Sequence, residues 1–260
     1  MTVLFEAKDI SVRFGGIRAV DSVSFQVNQG EVFSIIGPNG AGKTTIFNLI
    51  SRIYNTTEGQ LVFDGHDFTR APPHTIAGLG IARTFQNIEL FANATLLQNL
   101  LIGRHRHSGV GYLSQMAFLP STRRAELRHR EKAEEVIAFL DLQRYRDTLI
   151  AGLPYGVRKV VELGRALCTE PKLLLLDEPS SGLNVEETEG MGFWIEDIKK
   201  DLGVTVIMVE HDMALVSQVS DRVMALNYGK VLAMGTPREV QTHPEVVRAY
   251  IGGETEEAGA

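Results

Sequence analysis

The clearest chemistry in this sequence lies in one glycine-rich stretch, Gly37-Pro38-Asn39-Gly40-Ala41-Gly42-Lys43-Thr44-Thr45. A glycine, four further residues and then Gly-Lys-Thr form the pattern of a loop that binds nucleotide phosphates. The glycines let successive backbone N–H groups curl around an anion, and the helix that follows adds the partial positive charge of its N-terminus. Lys43 is expected to reach the β- and γ-phosphates, and the Thr44 hydroxyl to bind Mg²⁺. The whole stretch therefore predicts a binding site for a nucleoside triphosphate.

Polar residues also follow two apolar runs that are typical of buried strands. Asp177 and Glu178 come directly after Leu173–Leu176, and His211 follows the run Val204–Val209. Asp177 is expected to hold Mg²⁺ through a water, because this hard cation prefers carboxylate oxygen and keeps several waters. Glu178 can orient or deprotonate an attacking water, and His211 can hydrogen-bond the γ-phosphate. The alternative for the two acids is a helix cap that faces solvent.

Strands that end at one edge of a sheet explain how these residues could meet. Glu31–Ile36 has the pattern of a buried strand before the glycine-rich stretch, and Thr44–Ser51 that of an amphipathic helix after it. Continuous apolar strands that alternate with helices, such as Glu186–Leu202, indicate a parallel sheet covered on both faces. Ligands of such sheets bind outside the carboxyl ends of the strands, so the three strand ends are expected to converge on one γ-phosphate.

The other segments predict antiparallel strands and a helical region. Strand patterns cover Val3–Phe14 and Val20–Val27, and Asp64-Gly65 marks a hairpin. Helical patterns dominate from Leu96 to Leu142, and a last pair of strands flanks Asn227-Tyr228-Gly229. The predicted fold class is α/β, with an antiparallel β subdomain and a helical subdomain.

Composition and charge exclude several classes of protein. The 260 residues are 44% hydrophobic and 22% charged, which is typical of a globular protein. The net charge of −6 argues against nucleic acid as a partner, and acids interleaved with the basic residues of 123–132 favour a solvated helix face. The single cysteine, Cys168, permits no internal disulfide. Apolar runs fall short of the roughly 18 residues that span a bilayer, so any membrane role is expected to come through a partner.

Together these motifs resemble the ATP-binding subunits of ATP-binding-cassette (ABC) transporters, and the resemblance covers nearly the whole chain. It adds three segments to the residues above: Arg83-Thr84-Phe85-Gln86-Asn87, Ser181-Gly182-Leu183-Asn184 and Val209-Glu210-His211-Asp212-Met213. With the long insert before the helical segment and the ending Arg248-Ala249-Tyr250-Ile251-Gly252, the chain looks most like the ATPases of branched-chain amino-acid importers. Importers of urea and amides, and a lipopolysaccharide-exporting ATPase, share several of these motifs.

The resemblance implies roles for further residues. Phe14 resembles the aromatic residue that stacks on adenine, with a core strand position as the alternative. Gln86 resembles the glutamine that belongs to the Mg²⁺ site and links it to the permease contact, and His211 occupies the family's switch position. The resemblance also implies a P-loop NTPase fold with a RecA-like core, ATP as the nucleotide and Mg²⁺ as the cofactor.

One motif departs from the family pattern. The signature, often Leu-Ser-Tyr-Gly-Gln in this branch, is Leu153-Pro154-Tyr155-Gly156-Val157 here. Pro154 replaces the serine that would hydrogen-bond the γ-phosphate of the ATP held by the opposite subunit, and such a bond is worth roughly 1.5–3 kcal/mol. Tyr155, Gly156 and the amides at the helix start remain, so an anion could still bind. The resemblance predicts that this chain hydrolyses its own ATP against the partner's signature, while Pro154 weakens the other site.

The resemblance also implies how the chain is divided and with what it assembles. One ATP-binding domain is expected over residues 1–260, with the core and β subdomain over 1–86 and 160–235, the helical subdomain over 87–159, and C-terminal helices with an acidic tail over 236–260. A second, homologous ATPase is expected as a heterodimer partner, with a homodimer as the alternative. The other expected partners are two transmembrane permeases and, indirectly, an extracytoplasmic substrate-binding protein. The expected location is the cytoplasmic face of the cell membrane.

Three other functions are alternatives to transport. A non-transport ABC ATPase of DNA repair or translation usually carries long coiled coils or a second cassette, and neither pattern occurs here. A GTPase would need an Asn-Lys-x-Asp motif, which the sequence lacks. A catalytically silent regulatory subunit is kept open by Pro154, although Glu178 and His211 argue against it.

Overall fold

Two β-sheets organise the protein. The computed structural model describes residues 2–84, 88–105 and 120–257, and it describes only the backbone of 120–122 and 251–257. The strands are β1 Val3–Phe14, β2 Ile17–Asn28, β3 Val32–Ile36, β4 Glu58–Phe63, β5 His66–Asp67, β6 Ile81–Arg83, β7 Leu173–Asp177, β8 Thr205–Val209, β9 Arg222–Asn227 and β10 Lys230–Gly235. The helices are α1 Lys43–Ile50, α2 Ile76–Leu79, α3 Leu96–Gly103, α4 Pro120–Phe139, α5 Tyr155–Leu167, α6 Val185–Lys200, α7 Met213–Val219, α8 Pro237–Gln241 and α9 Pro244–Glu257.

The larger sheet has the strand order β10-β9-β3-β8-β7-β6. Its strands run parallel except β10, which pairs antiparallel with β9. Every residue of β3, β7 and β8 is buried, which explains their unbroken apolar sequences. Strand β8 lies between β3 and β7, since Val209 is in register with Ile35 on one side and Asp177 on the other. The predicted neighbourhood of these three carboxyl ends is therefore confirmed.

Strand β6 is an element that the sequence did not predict. It has three residues and pairs in parallel with β7, with Arg83 opposite Leu175. A segment of this length carries too little hydrophobic periodicity to be recognised as a strand. It matters because it brings Arg83 next to the end of β7.

The smaller sheet is antiparallel, with the order β2-β1-β4-β5. Its hairpin turns at Asp64-Gly65 with Phe63 opposite His66, as the sequence predicted. Aromatic rings connect its core with the larger sheet. The ring of Phe25 in β2 stacks on that of Phe33 in β3 with 5.4 Å between centroids, and its centroid lies 5.5 Å from that of Phe5 in β1. The antiparallel β material and the nucleotide-binding strands thus share one hydrophobic core.

The chain forms two compact units. The first comprises Met1–Arg83, Lys172–Ser181 and Val185–Ala260 and contains both sheets. The second comprises Thr84–Pro171 and Gly182–Asn184 and contains α3, α4 and α5. The subdomain limits that the sequence suggested at 87 and 159 remain a prediction.

Helix α3 of the second unit begins with a capping box. The Thr95 hydroxyl accepts the Gln98 N–H, and the Gln98 side chain accepts the Thr95 N–H in return. Helices α3, α4 and α5 lie close together at Gly164, where a Cβ would be 3.1 Å from Leu100 of α3 and 3.4 Å from Val136 of α4. Among the described residues, no helix combines the length and the apolar character needed to cross a membrane.

Candidate nucleotide site

The glycine-rich loop has a backbone that requires glycine at two positions. Gly37 has φ +151° and Gly42 has φ +103°, both in the left-handed region. A Cβ on Gly37 would lie 2.2 Å from the Leu226 carbonyl oxygen, and one on Gly42 would lie 2.6 Å from that of Ala19. These glycines are therefore fixed by close backbone approach as well as by conformation. Asn39 and Gly40 are exposed, while Ala41 packs inside.

Helix α1 begins with its N–H groups open to an anion. Its N-cap residue, Gly42, makes no side-chain capping bond, and the first turn contains no acidic residue. Thr44 is exposed in this first turn, and Thr45 is half-buried. Unpaired N–H groups and the positive end of the helix dipole are the features that bind phosphate, so the loop fits a nucleotide.

Lys43 connects the loop with the neighbouring strand end. Its ammonium is buried and donates to the carbonyl oxygens of Gly37 at 2.6 Å and Pro38 at 2.9 Å. Burial lowers the pKa of Lys43, and the negative charges of Glu178 and Asp177 oppose that shift. The structure thus brings the lysine and both acids into one electrostatic environment, as the strand ends predicted.

The two acids differ in their surroundings. Asp177 ends β7, is buried, and accepts a hydrogen bond on Oδ2 from Arg83 Nη2 at 2.7 Å. Glu178 has φ +49°, a left-handed conformation that costs a non-glycine residue on the order of 1–3 kcal/mol. Its backbone is held by an N–H bond to Val209 and by the Ser181 N–H on its carbonyl. A strained backbone persists only where surrounding contacts compensate for its cost, and such positions are concentrated at functional sites.

A buried carboxylate organises the end of β8. Glu210 is fully buried, and its Oε2 accepts the N–H groups of His211 at 2.9 Å and Asp212 at 3.2 Å. Its Oε1 accepts the Ser180 N–H at 2.8 Å, which ties β8 to the segment after β7. The His211 ring is 60% exposed, with Nδ1 at 3.9 Å from Glu210 Oε2. The predicted switch histidine is therefore open to a ligand while its backbone is fixed.

The structure describes Phe14 but not Gln86, two residues whose roles the resemblance implies. Phe14 ends β1 with 46% of its surface exposed, and its ring meets that of Tyr54 edge-on at 5.0 Å. An exposed ring leaves a surface on which a base could stack, which the alternative core position would not. Gln86 lies outside the described residues.

The signature segment belongs to the second compact unit. Pro154 is the N-cap of α5, directly before the first helical residue, and it makes no side-chain capping bond. Tyr155 is partly exposed, and Gly156 is buried. The Tyr155 ring packs on Gly182, where a Cβ would lie 2.9 Å from the ring. The proline supplies no hydroxyl, so an anion at the start of α5 could be bound only by backbone amides.

The donor groups fit Mg²⁺ bound together with a nucleotide. The described residues contain no group of three or more His, Cys, Asp or Glu side chains that could hold a metal ion by themselves. Thr44 and Asp177 offer oxygen ligands, and a bound nucleotide and waters would supply the others that Mg²⁺ needs. This limited set of protein ligands is common where Mg²⁺ arrives with a phosphate substrate.

Sequence reasoning missed three residues near the predicted site. Arg83 pairs with Asp177, Glu210 fixes the end of β8, and Tyr54 contacts Phe14. A signal existed only for Glu210, an acid directly after an unbroken apolar strand. The contacts of Arg83 and Tyr54 depend on tertiary structure, which the local pattern does not reveal.

Comparisons with known proteins agree with this geometry. A family model described as ABC transporter matches residues 20–181, and one described as Branched-chain amino acid ATP-binding cassette transporter matches residues 230–256. The chain is 39% identical over 249 residues to the high-affinity branched-chain amino acid transport ATP-binding protein BraF of Pseudomonas aeruginosa, covering 96% of this chain and 98% of BraF. It is 36% identical over 249 residues to LivG of Escherichia coli K12, a protein with the same description, with the same coverage.

A solved structure shows the same fold. The ADP conformation of MJ1267, an ATP-binding cassette of an ABC transporter, superposes with a TM-score of 0.85 at 33% identity, covering 97% of this chain and 100% of that one. The ABC transporter match spans more than half of the chain and includes the glycine-rich loop and Asp177-Glu178. Because this family model covers most of the chain and BraF is 39% identical over nearly its whole length, the chain belongs to the family of ABC transporter ATP-binding proteins.

Proposed function

We propose that this chain is the ATP-hydrolysing subunit of an importer of branched-chain amino acids. The observation that carries the proposal is the shared environment of Lys43, Asp177 and Glu178 at the ends of β3 and β7. The open N-terminus of α1 supports phosphate binding beside them. The descriptions of BraF and LivG support the importer and its substrate class.

Each residue of the site has a distinct role in this proposal. The loop amides and Lys43 bind the β- and γ-phosphates, and Phe14 stacks on the adenine. Thr44 and Asp177 would hold Mg²⁺, with Gln86 joining them, and the ion would supply positive charge to offset that of the phosphates. Glu178 orients the attacking water and accepts its proton, while His211 donates a hydrogen bond to the γ-phosphate.

A second ATPase subunit completes the site. In the proposed head-to-tail pair, the start of α5 with Tyr155 and Gly156 faces the ATP of the partner, and the partner's signature faces Lys43. Pro154 at the N-cap of α5 supports an asymmetric heterodimer, because it lacks the hydroxyl that would reach the partner's γ-phosphate. Glu178→Gln should therefore reduce turnover more than the equivalent change in the partner, and equal losses would contradict the asymmetry.

The second compact unit offers a surface for a permease. Phe91 is 59% exposed and Leu149 is 50% exposed. The backbone of both is held in place, since the Phe91 N–H donates to Asn99 Oδ1 and Leu149 pairs with Thr95 in a β-bridge. Exposed apolar surface is typical of protein interfaces, so we assign this surface to a transmembrane permease that places the chain at the cytoplasmic face of the membrane.

Purification from membranes with its natural neighbours tests this function. Two polytopic permeases and a second ATPase are expected to co-purify, and ATP turnover in proteoliposomes should rise when the binding protein carries a branched-chain amino acid. Stimulation by urea or an amide instead would show that the chain belongs to an importer of that substrate. Recovery with ribosomes or DNA, without permeases, would contradict a role in transport.

A further inference from the structure

Arg83 joins the end of β7 to helix α1 in the first compact unit. Its Nη2 donates to Asp177 Oδ2 at 2.7 Å, and its Nη1 donates to Asn48 Oδ1 at 2.8 Å and Ser51 Oγ at 2.7 Å. The planar guanidinium thus bridges one acceptor on the strand and two at the C-terminal end of the helix, Asn48 and the C-cap residue Ser51. A guanidinium fork with three anchors has little freedom, because each bond fixes the direction of the others.

The surroundings of this fork are rigid and dry. The side chains of Arg83 and Asp177 are 9% and 5% exposed, and the guanidinium carbon lies 5.6 Å from the centroid of the Phe47 ring. The Ser51 hydroxyl is itself anchored, since it donates to the Phe47 carbonyl oxygen. An ion pair in such a setting keeps its geometry far better than an exposed pair does.

We infer that Arg83 is a positioning residue that holds the Asp177 carboxylate at a fixed place relative to Thr44 and thereby sets the Mg²⁺ affinity of the nucleotide site. Helix α1 carries Thr44 in its first turn and the anchor Asn48 near its end, and Ser51 is its C-cap residue. The fork therefore connects the two elements that carry the proposed metal ligands Thr44 and Asp177. Because Thr44 and Asp177 are ligands only in the proposed function, the role of Arg83 rests on that function.

The same contact could act in the opposite direction. A positive charge beside Asp177 repels Mg²⁺, so Arg83 could lower the affinity for the ion. Positioning is the better fit, because the fork takes Oδ2 while a carboxylate has a second oxygen, Oδ1, with which to hold a hydrated cation. Groups that orient a metal ligand typically contribute about 10–100-fold in metal affinity.

The test measures how much Mg²⁺ tightens nucleotide binding. A fluorescent ADP analogue is titrated into wild type and Arg83→Met, once with Mg²⁺ and once with EDTA; the ratio of the two Kd values is the magnesium gain. Arg83→Met is expected to reduce the magnesium gain by about tenfold and to change the Kd in EDTA by less than about twofold. Arg83→Lys retains the charge but cannot bridge three acceptors. Its magnesium gain should therefore be nearly as low as that of Arg83→Met.

Arg222→Met is a matched control. Arg222 also pairs with a buried carboxylate, that of Glu31 at 3.1 Å, and also lies over a phenylalanine, 5.3 Å from the ring of Phe33. It starts β9, and Glu31 precedes β3, so the pair sits at the opposite ends of the parallel strands from Asp177. Its loss is expected to leave the magnesium gain unchanged. If Arg83→Met does not fold, Asn48→Ala with Ser51→Ala removes the helix anchors, keeps the ion pair, and should reduce the gain by about threefold or more.

Several results would overturn the inference. A higher magnesium gain in Arg83→Met would make Arg83 a competitor of the ion, and an equal loss of affinity with Mg²⁺ and EDTA would make its role purely structural. Full recovery in Arg83→Lys would show that charge suffices without the fork. Asp177→Asn separates this question from the proposed function: if it leaves the magnesium gain intact, the ligand assignment is wrong, whereas a lost gain there with a normal gain in Arg83→Met refutes the positioning role alone.

Discussion

At the residue scale, the end of β8 depends on one carboxylate. Glu210 is fully buried and accepts three backbone N–H groups, from Ser180, His211 and Asp212. Charge-assisted bonds to backbone amides are about twice as strong as neutral ones, and they fix both His211 and the turn after Glu178. The exposed histidine can therefore act on a ligand from a rigid backbone.

Glu210→Gln should destabilise the protein by about 1–3 kcal/mol, because its amide nitrogen would face at least one backbone N–H donor inside the protein. Urea unfolding monitored by circular dichroism measures this free energy. Glu58→Gln, an exposed change at the start of β4, is the control and should leave stability nearly unchanged. Equal stability of the two variants would show that the Glu210 bonds contribute nothing.

Cys168 should be inert to alkylation in the folded protein. Its side chain is buried, and burial raises the pKa of the thiol from 9.0 to about 12. At about pH 8 the thiolate fraction is then roughly a thousand times lower than in an unfolded chain, so iodoacetamide should react only after denaturation. Between pH 9.0 and about 12 the Cys168 thiol ionises in the unfolded chain but not in the folded protein. The free energy of unfolding therefore falls as pH rises through this range. Rapid modification of the native protein at about pH 8 would contradict this burial.

At the scale of elements, the loop between β3 and α1 combines a strained backbone with an open helix end. Gly42 has both roles: its left-handed φ closes the loop, and as N-cap it leaves the first amides of α1 free. Any side chain here would meet the Ala19 carbonyl oxygen. Stability and phosphate binding therefore depend on the same position.

Gly42→Ala is expected to cost about 1–3 kcal/mol of stability and to abolish measurable ATP binding, since the loop must shift to admit the methyl group. Gly16→Ala is the matched control, because a Cβ there has nothing within 4 Å and its φ is not left-handed. Thermal unfolding and a filter-binding assay for ATP give the two readouts. Wild-type ATP binding by the Gly42→Ala variant would show that this geometry is unnecessary.

The sequence predicted elements better than contacts. Unbroken apolar runs revealed β7 and β8, and Asp64-Gly65 revealed a hairpin, because each pattern reflects local burial or turn chemistry. Strand β6 was not predicted, because three residues are too few to show hydrophobic periodicity. It is defined by its pairing with β7, about ninety residues away in the chain. The ion pair of Arg83 with Asp177 was missed for the same reason, whereas Asp177 itself was marked by the strand before it.

At the scale of the whole molecule, this chain supplies parts of two ATP sites in the proposed pair. The loop, Asp177 and Glu178 belong to its own site, and the start of α5 belongs to the partner's. The features at α5 are weaker, because Pro154 offers no hydroxyl and only the helix-start amides remain. Activity of the assembly is therefore expected to depend mainly on the site of this chain.

Pro154→Ser should restore the missing hydrogen bond to the partner's ATP. The expected result is about a tenfold or greater increase in ATP affinity at the partner's site, from a bond to a charged group worth roughly 1.5–3 kcal/mol. Binding of a fluorescent ATP analogue to the purified heteromer measures it, with Pro72→Ser at an exposed position as control. If Pro154→Ser and Pro72→Ser bind alike, the backbone amides already supply what the serine would.

ATP turnover of the assembled transporter after Glu178→Gln tests the proposed hydrolysis site most directly. Glutamine keeps the shape of the side chain but cannot accept the proton of the attacking water, so turnover should fall by about a hundredfold or more while ATP binding is retained. Glu58→Gln in the same assembly should hydrolyse ATP like wild type. Turnover of Glu178→Gln within about twofold of wild type would contradict the assignment of this strand end as the place where ATP is hydrolysed.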